Sequence, residues 1–205
     1  MSARLVSIIG PVASGKTSLA ERLAEELPAH LIREDYAGNP FLAESYTGCE
    51  AARLPGQLYF FMSRLGQLSR LTLPADGLAV SDYGFCQDRV FARTRLSADE
   101  YERYDSITRH LEPLVQPPAV VVALDAPEPT LLRRIAQRGR GYESVMTDDF
   151  LAEMRRQYAE LEATLPCPVL HVDGGGVDLR QSQPREELLR EIRAILDRDV
   201  SENPT

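Results

Sequence analysis

A short segment near the start of the chain has the residue types and spacing of a phosphate-binding loop. Residues Gly10 to Thr17 read GPVASGKT and satisfy the pattern G-x-x-x-x-G-K-[ST]. The apolar run Leu5–Ile9 comes before it and a helical pattern follows, which is the context that this motif requires. Glycines allow backbone N–H groups to point at phosphate oxygens, and the start of the helix adds positive potential. The motif therefore predicts a site for a nucleoside triphosphate.

The positions of this loop have separate expected roles. Lys16 should reach the β- and γ-phosphates of ATP, and the Thr17 hydroxyl should hold Mg²⁺. The residues expected to surround the phosphates lie in the loop or directly after it: Gly10, Val12, Ala13, Ser14, Gly15, Lys16, Thr17 and Ser18. The loop alone does not separate a kinase from a GTPase or an ATPase motor. The chain contains no N-K-x-D guanine reader, and motors are usually longer, so a small-acceptor kinase is favoured.

An arginine-rich segment supports that interpretation. The segment RRIAQRGRGYE places Arg133, Arg134, Arg138 and Arg140 after a strand that ends at Leu124. Guanidinium groups fork onto phosphate oxygens, so we expect Arg134 to contact the nucleotide and Arg138 and Arg140 to stabilise the transferred group. The alternative is a solvated helix face. The glycines at 139 and 141 favour a mobile lid over about residues 134–146.

The elements that would position these residues alternate between short apolar runs and longer helical patterns. This order predicts an α/β fold, the three-layer α/β/α P-loop NTPase architecture with a five-stranded parallel sheet. The expected strands are Leu5–Ile9, His30–Ile32, Leu78–Ser81, Ala119–Leu124 and Val169–Val172. The expected helices are Ser18–Leu27, one capped by Ser97 with Glu100, one opened by Thr147 and a last one opened by Pro184.

Length and composition limit the classes of protein and of partner. The 205 residues fit one domain over 1–199, and 200–205 has the composition of a frayed tail. A net charge of −8 argues against a nucleic acid polymer as partner, because such binding usually needs a basic face. No apolar run is long enough to span a membrane, and three cysteines without metal spacing suggest free thiols. We therefore expect a cytoplasmic protein.

Four further segments, in order behind the phosphate loop, resemble the deoxyribonucleoside kinase family. Residues 34–42 (EDYAGNPFL) are similar to the family's glutamate followed by N-P-[FY]-L, and residues 57–64 (QLYFFMSR) to its Q-x-Y-F-x-x-S-R helix. Residues 81–83 (SDY), with Asp88 downstream, occupy the place of an acidic-Arg-Ser motif. Residues 138–143 (RGRGYE) resemble the R-G-R-x-x-E lid. The likeness runs from about Arg4 to the last helix.

The resemblance implies a role for each matching residue. Glu34 resembles the general base that accepts the 5′-hydroxyl proton, unless it only caps a strand–loop junction. Gln57 and Asp88 resemble the groups that read the base, with Arg64 steadying Asp88; Gln57 and Arg64 could instead form an exposed polar stripe. The remaining substrate-binding candidates are the 3′-hydroxyl contacts Tyr46 and Glu143 and the ring walls Phe61 and Phe85, which are equally typical of core.

The chain departs from the family at one motif. The acidic-Arg-Ser triplet reads Asp82-Tyr83-Gly84 here. Asp82 can still serve Mg²⁺, directly or through water. The missing arginine leaves a phosphate and 5′-hydroxyl contact to be supplied by Arg89 or by a lid arginine. The [SA]-D-Y pattern is similar to a bacterial branch that often prefers purine deoxynucleosides.

These features predict transfer of the ATP γ-phosphate to the 5′-hydroxyl of a deoxynucleoside, with Mg²⁺, in nucleotide salvage. A thymidylate-like nucleoside monophosphate kinase is the first alternative, although it needs extra cations for the phosphate of its acceptor. A nucleotide-binding module without turnover is the second. The resemblance also implies a homodimer formed through the helices that flank Gln57.

Overall fold

The computed structural model describes residues 3–176 and 182–202, in which thirteen longer elements alternate between strands and helices. The strands are β1 (Arg4–Ile9), β2 (His30–Ile32), β3 (Leu78–Ser81), β4 (Val120–Asp125) and β5 (Val169–Asp173). The helices are α1 (Lys16–Glu26), α2 (Leu42–Tyr46), α3 (Arg53–Leu68), α4 (Asp88–Arg95), α5 (Ala98–Leu111), α6 (Glu128–Arg138), α7 (Asp148–Glu162) and α8 (Ser182–Glu202). Short 3₁₀ turns lie at Glu50–Ala52, Phe85–Gln87, Glu112–Leu114 and Gly141–Val145.

The five strands form one parallel sheet in the order β2-β3-β1-β4-β5. Strand β1 lies in the middle of the sheet, with β3 and β2 on one side and β4 and β5 on the other. The strand order therefore reverses beside β1. Ligands of open α/β sheets bind outside the carboxyl ends of the strands at such a reversal. The phosphate loop follows β1 directly and therefore lies where the topology opens a crevice.

Helices cover both faces of the sheet. On one face α1 and α8 pack against β1 and β4 through Leu23, Ile192 and their neighbours. On the other face α7 packs Met154 and Tyr158 against the sheet, while α3 contributes Leu68 to a second cluster. The central strands β1 and β4 are buried on both sides, which explains their continuous apolar runs, whereas the edge strands β2 and β5 are partly exposed. The predicted three-layer α/β/α architecture is confirmed.

The predicted strand positions are confirmed to within one residue at each end. The first helix begins at Lys16 rather than Ser18, because the phosphate loop runs straight into its first turn with Gly15 as the N-cap. Ser97 and Glu100 form the predicted reciprocal capping box, and the Thr147 hydroxyl accepts from the N–H of Phe150. These caps satisfy backbone donors that a helix start otherwise leaves unpaired.

The last helix differs most from its prediction. It begins at Ser182, two residues before Pro184, and continues to Glu202. The first three residues of the predicted tail over 200–205 are therefore helical, and the last three lie outside the described residues. Within the described ranges, no helix has the length and apolar character needed to cross a membrane. The three cysteines are free thiols.

Candidate active site

The phosphate loop adopts the curl that its sequence predicts. Gly10 and Gly15 have φ values of 143° and 108°, and Ala13 also has a positive φ of 63°. A Cβ at Gly10 would lie 2.1 Å from the carbonyl oxygen of Leu124, so only glycine fits between the loop and β4. The buried Ser14 hydroxyl has no hydrogen-bond partner among the described residues.

Lys16 lies folded against its own loop. Its Nζ donates to the carbonyl oxygens of Gly10 and Pro11, each at 2.9 Å. Burial lowers the pKa of Lys16 to about 8, although the carboxylates of Glu34 and Asp82 act in the opposite direction. The ammonium group therefore already lies beside the loop. Phosphate oxygens bound there would stabilise its charged form and raise its pKa again.

Thr17 and Asp82 join the loop to the end of β3. The Thr17 hydroxyl donates to Oδ2 of Asp82 at 2.6 Å, and Oδ1 of Asp82 accepts from the backbone N–H of Glu34 at 2.8 Å. A hydroxyl and a carboxylate are oxygen ligands of the kind that Mg²⁺ takes alongside water and substrate phosphates. The described residues contain no cluster of three His, Cys, Asp or Glu side chains that could hold a metal by themselves. This pair therefore fits an ion that the nucleotide helps to bind.

A cavity of about 550 Å³ extends from the phosphate loop to α3. Predicted residues that line it are Val12, Ala13, Gly15, Lys16, Thr17, Ser18, Glu34, Tyr46, Gln57, Arg64, Asp82, Arg134, Arg138, Arg140 and Glu143. Glu34 lies near Lys16 and Asp82 and also contacts Arg64, which forms part of the cavity wall with Gln57. The candidate sugar contacts and most of the candidate phosphate contacts therefore line a single crevice, whereas Gly10 and Ser14 do not line it.

Arg64 connects two carboxylates inside this crevice. Its Nε donates to Oε1 of Glu34 at 3.0 Å, a second nitrogen pairs with the same oxygen, and a third pairs with Oδ1 of Asp88. Burial opposes a charge on Arg64, but Asp88 and Glu34 outweigh it, so the pKa of Arg64 is raised. Burial raises the pKa of Asp88 to about 7 despite the Arg64 guanidinium. Gln57 and Arg64 therefore belong to a buried network and not to an exposed polar stripe.

Asp88 lies behind this wall and does not line the cavity. The side-chain nitrogen of Gln57 donates to the backbone oxygen of Asp88 at 3.2 Å and to Oδ1 at 3.3 Å. Oδ2 of Asp88 is buried with no hydrogen-bond partner in the part of the chain that the structure describes. Asp88 therefore holds both Gln57 and Arg64 while keeping one acceptor unused.

Three arginines of the lid line the cavity, and two of them, Arg138 and Arg140, contact Glu143. Arg138 pairs with Glu143 at 2.6 Å and Arg140 pairs with the same carboxylate at 3.5 Å. The Arg140 guanidinium also lies 3.8 Å above the ring of Tyr36, which closes the lid against the loop after β2. Glu143 is buried and lines the cavity together with Tyr46, as the two expected sugar contacts would.

Arg134 and Arg133, which come earlier in that segment, differ from each other in position. Arg134 donates to the carbonyl oxygens of Ser14 at 3.1 Å and Gly174 at 2.6 Å, so it braces the phosphate loop against the turn after β5. Arg133 is exposed and does not line the cavity. Of the four arginines in this segment, Arg133 is therefore the one that α6 turns to solvent and away from the phosphate site.

The expected ring walls also require correction. Phe61 is fully buried in a cluster with Tyr104, and Phe85 packs on it with ring centroids 5.2 Å apart. Neither lines the cavity; Phe60 and Phe91 do. Phe60 lies three residues after Gln57 and four before Arg64, so the three side chains share one face of α3. This spacing was the sequence signal that Phe60 lines the cavity.

The sequence interpretation missed Gln87 as well. This buried side chain lines the cavity, donates to Oε1 of Glu34 at 3.4 Å and accepts from the Tyr158 hydroxyl at 3.4 Å. Phe91 follows Gln87 by four residues and therefore lies about one helical turn further along. The cavity also includes Arg95, whose guanidinium lies 3.7 Å above the ring of Tyr46. No motif pointed to Gln87 or Arg95, because their roles depend on where α4 packs, whereas Phe91 follows Asp88 within the segment that resembles the family.

Tyr83 and Gly84 have structural reasons to replace arginine and serine. Tyr83 is fully buried among Leu5, Leu68 and other apolar residues, and its hydroxyl donates to Oε1 of Gln67 at 2.6 Å. A Cβ at Gly84 would lie 2.6 Å from Cγ2 of Ile9. Arg89 pairs with Glu112 at 2.6 Å and does not line the cavity, so it does not supply the missing contact.

Comparison with known proteins defines the class. The family model for deoxynucleoside kinases matches residues 6–197. The chain is 29% identical over 185 residues to a deoxyguanosine kinase of Bacillus subtilis (strain 168), covering 86% of this chain and 89% of that protein. It is 26% identical over 202 residues to a deoxyadenosine/deoxycytidine kinase of the same organism, covering 94% and 93%.

A solved structure shows the same fold. Deoxyadenosine kinase from M. mycoides, with the products dCMP and a flexible dCDP bound, superposes with a TM-score of 0.80 at 19% identity. The superposition covers 93% of this chain and 99% of that one.

The fold and crevice are those of a P-loop phosphotransferase that uses ATP. Within that class, the chain belongs to the deoxynucleoside kinase family and is an enzyme of deoxynucleoside phosphorylation. This assignment decides against the thymidylate-like kinase and against the module without turnover.

Proposed function

We propose that the enzyme transfers the γ-phosphate of ATP to the 5′-hydroxyl of a purine deoxynucleoside, with Glu34 as the general base. The observation that carries this proposal is the position of Glu34. It lines the same cavity as Lys16 and the wall formed by Gln57 and Arg64, so it stands between the phosphate end and the base end. A nucleoside held by that wall would present its 5′ end to Glu34.

Each side chain of the cavity has a separate role in the proposed reaction. Lys16, Arg138 and Arg140 supply fixed positive charge where the transferred group becomes more negative. Glu34 orients the acceptor hydroxyl and takes its proton, and the lid excludes water, which would otherwise compete as acceptor. Thr17 and Asp82 would hold Mg²⁺, which neutralises phosphate charge when bound. Tyr46 and Glu143 would hold the 3′-hydroxyl.

Two observations support a purine. The relatives include kinases named for deoxyguanosine and deoxyadenosine. Guanine presents two acceptors, N7 and O6, that suit a guanidinium such as Arg64, and adenine presents N7. Oδ2 of Asp88 is buried behind Gln57 with no partner among the described residues, so a base that displaced Gln57 would have to bring an exocyclic amine to satisfy it. Thymine lacks an exocyclic amine, so we expect thymidine to be a poor acceptor.

The proposed assembly is a cytoplasmic homodimer. Four large apolar side chains on or beside α3 and α5 are exposed: Met62, Leu71, Ile107 and Leu114. The N–H of Arg70 donates to the Leu114 carbonyl oxygen, so the turn carrying Leu71 lies beside Leu114. An apolar surface of this kind fits a second copy of the chain. Light scattering should give twice the monomer mass, and Ile107→Glu should shift it toward the monomer.

A coupled assay of ADP release tests the reaction. Deoxyadenosine, deoxyguanosine, deoxycytidine, thymidine and dTMP should each be supplied at several concentrations with ATP and Mg²⁺. We expect the highest kcat/KM for one of the purine deoxynucleosides and little turnover of dTMP. The purine assignment is wrong if thymidine gives the highest kcat/KM. The kinase proposal itself is wrong if none of the nucleosides is phosphorylated.

A further inference from the structure

Arg64 is almost completely enclosed by its neighbours. Its side chain is 3% exposed, and its guanidinium carbon lies 5.1, 5.5 and 6.0 Å from the ring centroids of Phe60, Tyr83 and Phe91. Three aromatic rings and two carboxylates therefore surround one planar cation. Arginine suits such a place because its nitrogens lie in a rigid fork and its faces stack on rings.

The position where the family has arginine contributes to this enclosure. Tyr83 points into the core with its ring beside Arg64 and its hydroxyl fixed to Gln67. It therefore offers no cation to Glu34, and Arg89 is turned away toward Glu112. Among the described residues, Arg64 is the arginine that forms an ion pair with Glu34.

The bonds to Glu34 distinguish its two oxygens. Two nitrogens of Arg64 and the amide of Gln87 all donate to Oε1. Oε2 accepts none of these three bonds, and Glu34 lines the cavity. Arg64 and Gln87 therefore fix the carboxylate by one oxygen and leave the other to take the proton of an acceptor hydroxyl.

We infer that Arg64 is a positioning residue that couples recognition of the base at the wall, where Asp88 holds Gln57 and Arg64, to the orientation of the general base Glu34. This inference rests on the proposed role of Glu34. The rigid guanidinium of Arg64 contacts Asp88 at one edge and Glu34 at the opposite edge. A movement of the guanidinium on the Asp88 side therefore also moves Oε1 of Glu34. A base that fits poorly against Gln57 and Arg64 would therefore lower the rate of transfer as well as the affinity.

A double-mutant cycle between Arg64 and Asp88, with kcat as the readout, tests the coupling. Asp88→Asn, Arg64→Met and the double variant should be compared at saturating nucleoside and ATP, and nucleoside Kd should be measured by calorimetry without ATP. We expect Asp88→Asn to lower kcat about tenfold in the wild-type background. In the Arg64→Met background, the same substitution should change kcat less than about twofold.

Two further variants complete the design. Arg89→Met removes the neighbouring arginine that faces Glu112, and we expect its kcat and Kd to match the wild type. Arg64→Lys keeps a charge but offers one nitrogen in place of a fork, so it should restore nucleoside binding more than kcat. Circular dichroism checks whether Arg64→Met folds. If it does not, Arg64→Lys takes its place in the double-mutant cycle.

The outcomes separate this inference from the proposed function. If Asp88→Asn raises Kd and KM while kcat holds, or if the two substitutions multiply in kcat, Arg64 does not couple the sites although the kinase assignment stands. If the wild-type enzyme phosphorylates no deoxynucleoside, the proposed function fails first. If Arg64→Lys retains the full kcat, the fork is not needed and the inference is wrong.

Discussion

The Thr17 hydroxyl donates to Oδ2 of Asp82 across 2.6 Å and joins the first turn of α1 to the end of β3. These residues are 65 positions apart in the chain. The pairing depends on the sheet, because β1 and β3 are parallel neighbours whose carboxyl ends meet at the same edge. Two oxygen ligands for Mg²⁺ are thereby placed beside the phosphate loop.

The first prediction concerns this pair. Asp82→Asn keeps the size of the side chain but removes its charge, so the Mg²⁺ concentration for half-maximal activity should rise about tenfold or more. A titration of activity with Mg²⁺ measures this. Asp125→Asn is the matched control, because Asp125 ends β4 and pairs with Arg155 outside the cavity. An unchanged Mg²⁺ requirement in Asp82→Asn would exclude Asp82 as a ligand.

The second prediction concerns the fixed cation of the loop. Lys16→Ala should abolish transfer, because the developing charge on the phosphoryl group loses its main fixed partner. Single-turnover assays at saturating ATP measure the chemical step. Retention of more than about a tenth of the wild-type kcat would contradict the loop as the chemical site.

The third prediction is a pH dependence of ATP binding. Burial lowers the pKa of Lys16 to about 8, so the free enzyme loses this positive charge as the pH rises through that value. Phosphates bind the protonated form, and the KM for ATP should therefore increase above about pH 8 while the KM for the nucleoside changes little. Kinetics at about pH 7 to 9.5 check this, and a KM for ATP that stays constant over the range would count against it.

The fourth prediction concerns the general base. Glu34→Gln keeps the shape of the side chain but cannot accept a proton, so kcat should fall about 10²-fold or more while nucleoside affinity changes little. Calorimetric binding and steady-state kinetics separate the two effects. A raised KM with an unchanged kcat would make Glu34 a binding residue and Asp82 the better candidate for the base.

The fifth prediction concerns base recognition. Asp88→Ala should lower kcat/KM for the preferred nucleoside roughly 10²-fold, because losing a charged hydrogen-bonding partner costs about 1.5–3 kcal/mol. ATP binding should stay intact, since the side chain of Asp88 contacts Gln57 and Arg64 and not the phosphate loop. The same nucleoside panel as for the wild type measures the change. No change in any kcat/KM would show that Asp88 takes no part in the pocket.

Local patterns were sufficient for much of the site. The phosphate loop, its strand and its helix are contiguous, and their function depends on backbone geometry that glycines at 10 and 15 allow. The capping box at Ser97 is likewise a contact between near neighbours in the chain. The sheet was predictable because strands buried on both faces must be apolar throughout.

The sequence by itself determined which residues could do chemistry, and the tertiary structure decided which of them meet. Phe60 rather than Phe61 lines the cavity because the packing of α3 on α5 sets the rotation of the helix. Tyr83 turns into the core beside Leu5 and Leu68, and no short pattern records that direction. The contacts of Arg64 with Glu34 and Asp88 span 30 and 24 positions, so they exist only after α3, α4 and the loop after β2 have packed together.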